Sequence, residues 1–473
     1  MSRTKIVCTI GPATEDAPSL LKLSEAGMSV ARLNGSHNDL DWHAATIARI
    51  REAVPGTPVL LDIPGRKIRT LQLAHEPSFE IGDEITLTTD QSHDGSEKVP
   101  VGHPSLHEQL SLGSAILADD GTLRFSVTKI VGPDIICRAE TSGTLKSRKG
   151  INVPGVRLVS EMVTERDREM VSFARANGVD YIGVSFVESA DQITAIRELT
   201  GGDWPRIVSK VENQGGLDNL LEIVTATDAL MIDRGDLSAE TNFEMVALFQ
   251  KHILKTAREH GVPVIVATEM LHTMVENPFP TKAEVGDITN SVIDGGSATM
   301  LSGETAVGAN PVRAVEVMRA VASAAESHVQ ETLDADEPNA HLQAPQAMER
   351  AVAMLCRTLP ITKIVAVTIS GYAARMIASH RPRQPILAVS NDEVAARSFN
   401  LYPGVEGIFI DMEFPRNSAD HVVKCLEDLW RQGKLTNDDM IVAISVSYPK
   451  SGNRMNLLQS HVIGDLAEVL EWA

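Results

Sequence analysis

Apolar residues fall along this chain in short continuous runs, separated by stretches where they recur every three to four positions. Runs bounded by turn residues read as buried strands, and the 3.6-residue recurrence reads as helices. Strands are predicted at residues 4–10, 30–33 and 59–63, with helices at 19–26 and 40–53 between them. From about Leu71 to Pro154 the pattern changes. Short β-type runs at 84–88, 114–118, 125–130 and 134–139 are broken by Gly, Asp and Pro, and no helical period passes through them. The alternation then resumes. Strands at 181–185, 206–213 (opening into a helix at Asn213), 229–232, 264–267 and 298–301 alternate with helices at 165–177, 190–199, 217–226, 245–260, 281–294 and 311–324. Eight strands, each followed by a helix, predict an α/β fold of the (β/α)8 TIM-barrel type. The barrel takes residues 1–70 and 155–333, with a small β-barrel domain, 71–154, inserted after strand three. Residues 334–345 are acidic, contain Pro and lack apolar periodicity, so they read as a linker. Residues 346–473 form a separate α/β domain with strands near 364–367, 386–389, 407–410 and 440–445.

Active sites of such barrels lie at the carboxyl ends of the strands. Strand two ends in Arg32-Leu-Asn-Gly-Ser-His37. Strand three ends in Asp62, with Lys67 and Arg69 soon after. Strand five ends in Lys210 and Glu212, and strand six in Asp233-Arg-Gly-Asp236. Strand seven ends in Thr268-Glu269 and strand eight in Ser302-Gly-Glu304. Residues two apart on a strand share a face, so Lys210 and Glu212 leave it together. An ordinary ion pair at a strand end is one reading; an anionic substrate held beside a metal ion is the other. Glu212 and Asp236, hard oxygen donors from adjacent strands, suit Mg2+ or Mn2+. Gly235 lets backbone N–H groups approach an anion, and Lys210 can neutralise a phosphoryl group in transit. Thr268 can orient a water or a carboxylate.

The formal net charge of −20 opposes binding to nucleic acid or to an anionic lipid surface. Any phosphorylated ligand then needs a local basic patch. The four cysteines, Cys8, Cys137, Cys356 and Cys425, are scattered without a CxxC pair, so neither zinc nor a disulfide framework is indicated. No signal peptide and no membrane-spanning apolar run is evident, and a cytoplasmic location is expected.

Over essentially its whole length the chain resembles the pyruvate kinases. The resemblance rests on Thr4-Lys-Ile-Val-Cys-Thr-Ile-Gly-Pro-Ala-Thr14, Ala31-Arg-Leu-Asn-Gly-Ser-His37, Lys149-Gly-Ile-Asn-Val-Pro-Gly155 and Val208-Ser-Lys-Val-Glu-Asn213. Arg234-Gly-Asp-Leu237, Ala267-Thr-Glu-Met-Leu271, Pro280-Thr-Lys-Ala-Glu284 and Met300-Leu-Ser-Gly-Glu-Thr305 follow in the family's order. It implies phosphoryl transfer from phosphoenolpyruvate to ADP. Lys210, Thr268 and Arg32 would be catalytic, and Arg32, Lys210, Gly235, Asp236 and Thr268 would hold phosphoenolpyruvate. Glu212 and Asp236 would bind Mg2+. Asn34, Ser36, His37, Arg69 and Lys149 would lie along the nucleotide, and the inserted domain would be a mobile lid. A homotetramer is implied too. Ser370, Gly371 and Arg375, after a strand of the C-terminal domain, would take a phosphorylated effector; the alternative is that Ser370 merely caps a helix and nearby Arg381 and Arg383 are solvated.

Departures from the family pattern accompany the match. Asp62-Ile-Pro-Gly-Arg-Lys-Ile-Arg69 carries Lys67 where a glutamate goes with bound K+ in the family. Asn34, Ser36, Asp62 and Ile63 resemble potassium ligands, but Lys67 would supply the charge itself, so K+ is expected to be unnecessary. Gly35 replaces a usual aromatic, Asp233 a small residue, Ser238 a glycine and Glu269 a glutamine. Two competing readings are a Mg2+-dependent oxo-acid lyase or aldolase on the same barrel, and a non-catalytic metabolite sensor.

Overall fold

The strands read as continuous apolar runs because nearly all of them are buried on both faces, as parallel barrel strands are. In the computed structural model, which describes residues 3–119, 121–156, 162–329, 344–415, 417–446 and 455–472, the eight expected strands are β1 (Lys5–Thr9), β2 (Val30–Asn34), β3 (Val59–Ile63), β4 (Tyr181–Val184), β5 (Arg206–Val211), β6 (Ala229–Asp233), β7 (Val264–Ala267) and β8 (Ala298–Leu301). They close in the order β1-β8-β7-β6-β5-β4-β3-β2. Every residue of β3 to β8 is buried.

The chain divides into two compact units, residues 1–61, 177–181 and 254–473, and residues 62–176 and 182–253. The second unit carries β5 and β6 together with the inserted sheet. That sheet orders Ile68–Arg69, Gly150–Asn152, Ala115–Ala118, Leu123–Val131, Asp134–Ala139, Glu84–Thr88 and Val99–Pro100. Its two edge strands meet through a bridge between Thr70 and Val101, with Leu71 N donating to Pro100 O at 3.0 Å and Gly102 N to Arg69 O at 2.9 Å. Its core includes Phe79 and Phe125, whose rings lie 5.1 Å apart. One helical turn, Leu106–Gln109, interrupts a region whose pattern shows no helical period.

Two further differences from the sequence reading concern this unit. The helix expected over 217–226 is broken at Asn219 into Gln214–Asp218 and Leu220–Ala226. Asn213 caps the first piece, its side chain accepting from Gly216 N at 2.8 Å. A helix, Arg234–Glu240, also follows β6 directly. Gly235 and Ser238 weaken its helical signal, so the sequence reads there as a strand end and a loop.

The first unit carries β1, β2, β7 and β8 and the C-terminal sheet: β9 (Lys363–Val367), β10 (Ile386–Ser390), β11 (Val405–Phe409), β12 (Met440–Ser445) and β13 (Leu457–Val462), ordered β11-β10-β9-β12-β13. The antiparallel β13 was not expected. It is a half-exposed edge strand and lacks the continuous apolar run of its neighbours. Of the expected linker, residues 334–343 lie outside the described residues, and the helix Ala344–Thr358 begins at its end. The four cysteines are free thiols, three of them buried. Among the described residues no helix is long and apolar enough to cross a membrane.

Candidate active site

β5 delivers its charges as its period requires. Lys210 is the last-but-one residue of a fully buried strand, and Glu212 follows two positions on; they are 5% and 0% exposed. The pairing of Lys210 with Met231 and Val211 with Ile232 carries Glu212 and Asp233 forward side by side at the strand ends. The Lys210 ammonium is surrounded by acids: Glu212 Oε1 at 2.6 Å, Asp233 Oδ2 at 3.2 Å and Asp62 Oδ2 at 3.7 Å. It also donates to Ser185 Oγ at 3.2 Å. Phe186 N, in a backbone with φ of 55°, donates to Glu212 Oε2 at 2.6 Å. Glu212 Oε1 faces the ammonium without hydrogen-bond geometry.

A second ammonium comes from the segment after β3. Lys67 Nζ lies 2.5 Å from Asp236 Oδ1 and 5.7 Å from the centre of the Phe186 ring. Two glycines make room for this arrangement. A Cβ on Gly183 would stand 2.1 Å from Asp62 Oδ1, and one on Gly150 would stand 2.7 Å from Lys67 Cε. Arg66, beside Lys67, is engaged elsewhere, with Glu188 Oε2 at 3.0 Å and Gln192 Oε1 at 3.1 Å.

Burial pushes the Glu212 carboxyl up to about 8 against the pull of Lys210, with Asp233 and Asp236 adding to the rise. Asp236 is likewise raised, by burial first and Asp233 second, while Lys67 and Lys210 oppose. On these two carboxyls, burial and the neighbouring acids thus outweigh the pull of Lys210 and Lys67. One carboxylate oxygen from each of Glu212, Asp233 and Asp236 lies within 4.8 Å of the others, and all three residues are buried. Hard oxygen donors in this number fit Mg2+ or Mn2+, with water and substrate oxygens completing the shell.

Beside the cluster a cavity of about 380 Å3 is lined by Lys67, Phe186, Glu188, Asn213 and Glu240, among others. Glu240, at the end of the helix after β6, accepts from Asn152 Nδ2 at 2.7 Å, and burial raises its carboxyl to about 7. The sequence reading missed Glu240 and did not count Asp233 as a possible ligand. Asp233 was visible only as an acid ending β6. Glu240 lies within a helix that was not expected.

The remaining expected residues fall as follows. Arg69 and Lys149 stand together in the inserted sheet: Arg69 pairs with Gly150, and Lys149 Nζ meets Asp119 Oδ1 at 2.6 Å. Arg32, Asn34, Ser36, His37 and Thr268 belong to the first unit. Arg32 is 6% exposed and donates to Thr9 Oγ1 at 3.0 Å. The Asn34 side chain accepts from Ser36 N at 3.1 Å. Thr268 and Glu269 have φ of 67° and 54°, and Thr268 donates to Ala267 O at 2.7 Å. Gly371, not Ser370, is the N-cap of the helix Tyr372–Ser379, with Gly371 N donating to Thr368 Oγ1 at 3.1 Å. Arg381 is not solvated: it is half-buried and donates to Val292 O at 2.8 Å and to Gly296 O.

Comparison with known proteins agrees with this geometry. Residues 1–315 match the family model "Pyruvate kinase, barrel domain", and residues 346–459 match "Pyruvate kinase, alpha/beta domain". The pyruvate kinase of Bacillus licheniformis is 38% identical over 98% of this chain and 81% of its own length, and that of Geobacillus stearothermophilus is 38% identical at the same coverage. The crystal structure of a pyruvate kinase from Cryptosporidium parvum superposes with a TM-score of 0.85 at 30% identity, covering 98% of this chain and 96% of that one. A lysine among clustered acids at the ends of two barrel strands, in a chain matched along both domains, leaves one assignment: the chain belongs to the pyruvate kinase family.

Proposed function

We propose that this chain transfers the phosphoryl group of phosphoenolpyruvate to ADP, giving pyruvate and ATP, with Glu212 and Asp236 holding a divalent cation. The observation that carries the reading is the buried Lys210 ammonium set among carboxylates at the end of β5. Phosphoryl transfer needs little covalent help from the protein; it needs positioning and charge neutralisation. A buried lysine supplies a cation that water does not screen. When bound, the cation would neutralise charge on the phosphoryl oxygens. Lys210 stabilises the group in transit. Arg32, buried in the first unit, contacts the phosphoryl group, Gly235 and Asp236 hold phosphoenolpyruvate, and Thr268 helps hold it and organises protonation of the enolate carbon. These roles follow the motif match residue by residue. Arg69 and Lys149, adjacent in the inserted sheet, serve the nucleotide phosphates together with Asn34, Ser36 and His37.

The test is pyruvate formation from phosphoenolpyruvate, followed through lactate dehydrogenase. It should require both ADP and Mg2+ or Mn2+. Pyruvate release from an oxo-acid without ADP would instead support a lyase.

K+ is not required under this proposal. Lys67 places an ammonium 2.5 Å from Asp236, within the acidic cluster. Turnover in a buffer whose only monovalent cation is tetramethylammonium should match turnover in K+ within about twofold, and an absolute need for K+ would refute this.

A further inference from the structure

We propose that Asp233 is a third ligand of the divalent cation, beside Glu212 and Asp236, so that the substrate-free chain holds the ion more tightly than those two carboxylates would alone. The inference rests on the phosphoryl-transfer reading and extends it to the ligand set of the metal. Two protein carboxylates leave most of a six-coordinate shell to water and substrate oxygens. A third carboxylate changes that balance.

Three observations support Asp233 in this role. One oxygen from each of Glu212, Asp233 and Asp236 lies within 4.8 Å of the others. Ligand oxygens roughly 2.1 Å from Mg2+ sit about 3–4 Å apart in an octahedron, so a small side-chain rotation closes the set. All three residues are nearly inaccessible, at 0%, 7% and 8% exposure. Buried carboxylates persist as anions only against cations. Asp62, Glu212 and Asp233 meet the Lys210 ammonium and Asp236 meets that of Lys67, and Asp233 repels both Glu212 and Asp236, a repulsion that a divalent ion would relieve. Third, the buried Glu212 Oε1 atom has the Lys210 ammonium at 2.6 Å without hydrogen-bond geometry, and it points into this same group.

Lys210 spans the arrangement. Its ammonium lies between Glu212 and Asp233, with Ser185 Oγ also in reach at 3.2 Å. A divalent ion held by those acids would share their charge, so that the Lys210 ammonium could also serve an incoming anion. Removing Asp233 would leave one more position of the shell to water or substrate oxygens.

The experiment titrates Mn2+ into the substrate-free full chain and reads free Mn2+ by electron paramagnetic resonance. The variants are Asp233→Asn, Asp233→Ala and, as a reference, Glu212→Gln. Even residues behind a metal's direct ligands change its affinity about 10–100-fold, so both Asp233 variants should weaken Mn2+ binding at least about tenfold. Addition of phosphoenolpyruvate should recover much of that loss. Should the alanine variant misfold by circular dichroism, the nearly isosteric asparagine variant decides. Binding within twofold of wild type in Asp233→Asn, while Glu212→Gln loses it, overturns the role of Asp233 alone. Unchanged binding in Glu212→Gln as well overturns the metal assignment with it. Wild-type turnover of phosphoenolpyruvate with ADP, measured separately, keeps the underlying functional reading distinct from both outcomes.

Discussion

Two buried acidic sites in this molecule solve the same electrostatic problem in opposite ways. Asp180, immediately before β4, has no exposure. Its Oδ2 meets Arg51 Nη2 at 2.6 Å and accepts from Val59 N at 2.7 Å, and its Oδ1 accepts from Arg397 Nε at 2.8 Å. One carboxylate is served by two guanidiniums and a backbone N–H. At the other ends of the strands, Asp62, Glu212, Asp233 and Asp236 crowd around two ammoniums. The first site is complete within the protein. In the second, burial and the mutual repulsion of the acids raise Glu212 and Asp236 above their ordinary values. A buried ion pair is therefore weak evidence of function, whereas buried acids that raise one another mark a candidate site.

The contrast breaks if both sites respond alike to mutation. The largest effect on stability is expected at the balanced one. Asp180→Ala strands two partly buried guanidiniums and should cost about 3–5 kcal/mol, read as a fall in the denaturation midpoint. The kcat of the protein that remains folded should hold within about twofold. A loss of kcat without loss of stability would mean that Asp180 belongs to the chemistry.

A smaller effect sharpens the picture at the edge of the acidic cluster. Burial raises Glu240 from its ordinary 4.5 to about 7, with Asp236 and Glu188 adding to the rise while the Asn152 hydrogen bond and Lys67 oppose it. The folded state thus holds this proton more tightly than the unfolded chain. Its contribution to stability is complete below about pH 4.5 and is lost as the pH rises through about 7. Glu240→Gln keeps an acceptor for Asn152 but removes the titration. Relative to wild type the variant should gain about 2 kcal/mol between pH 5 and pH 8, seen as a pH-dependent gap in melting temperature. A gap that does not move with pH would place Glu240 in a solvated setting.

The same contrast explains what could be read from the residues in order. The barrel was legible because parallel strands buried on both faces leave unbroken apolar runs such as Val59–Ile63 and Val264–Ala267. Lys210 and Glu212 were legible because a two-residue spacing on a strand settles their common face. Asp180 with Arg51 and Arg397 was not, since three elements far apart in sequence supply the parts and none carries a motif. Asp233 was seen as a departure from a pattern. Its meaning depended on the register of β5 against β6, which periodicity does not determine. Glu240 lay in a helix hidden by Gly235 and Ser238. β13 was missed because an antiparallel edge strand needs no continuous apolar run.

The central claim is that Lys210 acts on charge that develops during phosphoryl transfer. It is tested most directly by single-turnover quench-flow with 32P-labelled phosphoenolpyruvate, ADP and Mg2+, comparing wild type with Lys210→Met. The account predicts that the variant binds phosphoenolpyruvate and Mn2+ within about tenfold of wild type while the transfer step slows by about 10^3-fold or more, roughly 4 kcal/mol of lost transition-state stabilisation. Transfer at a near-normal rate in Lys210→Met, with the fold intact, would contradict it.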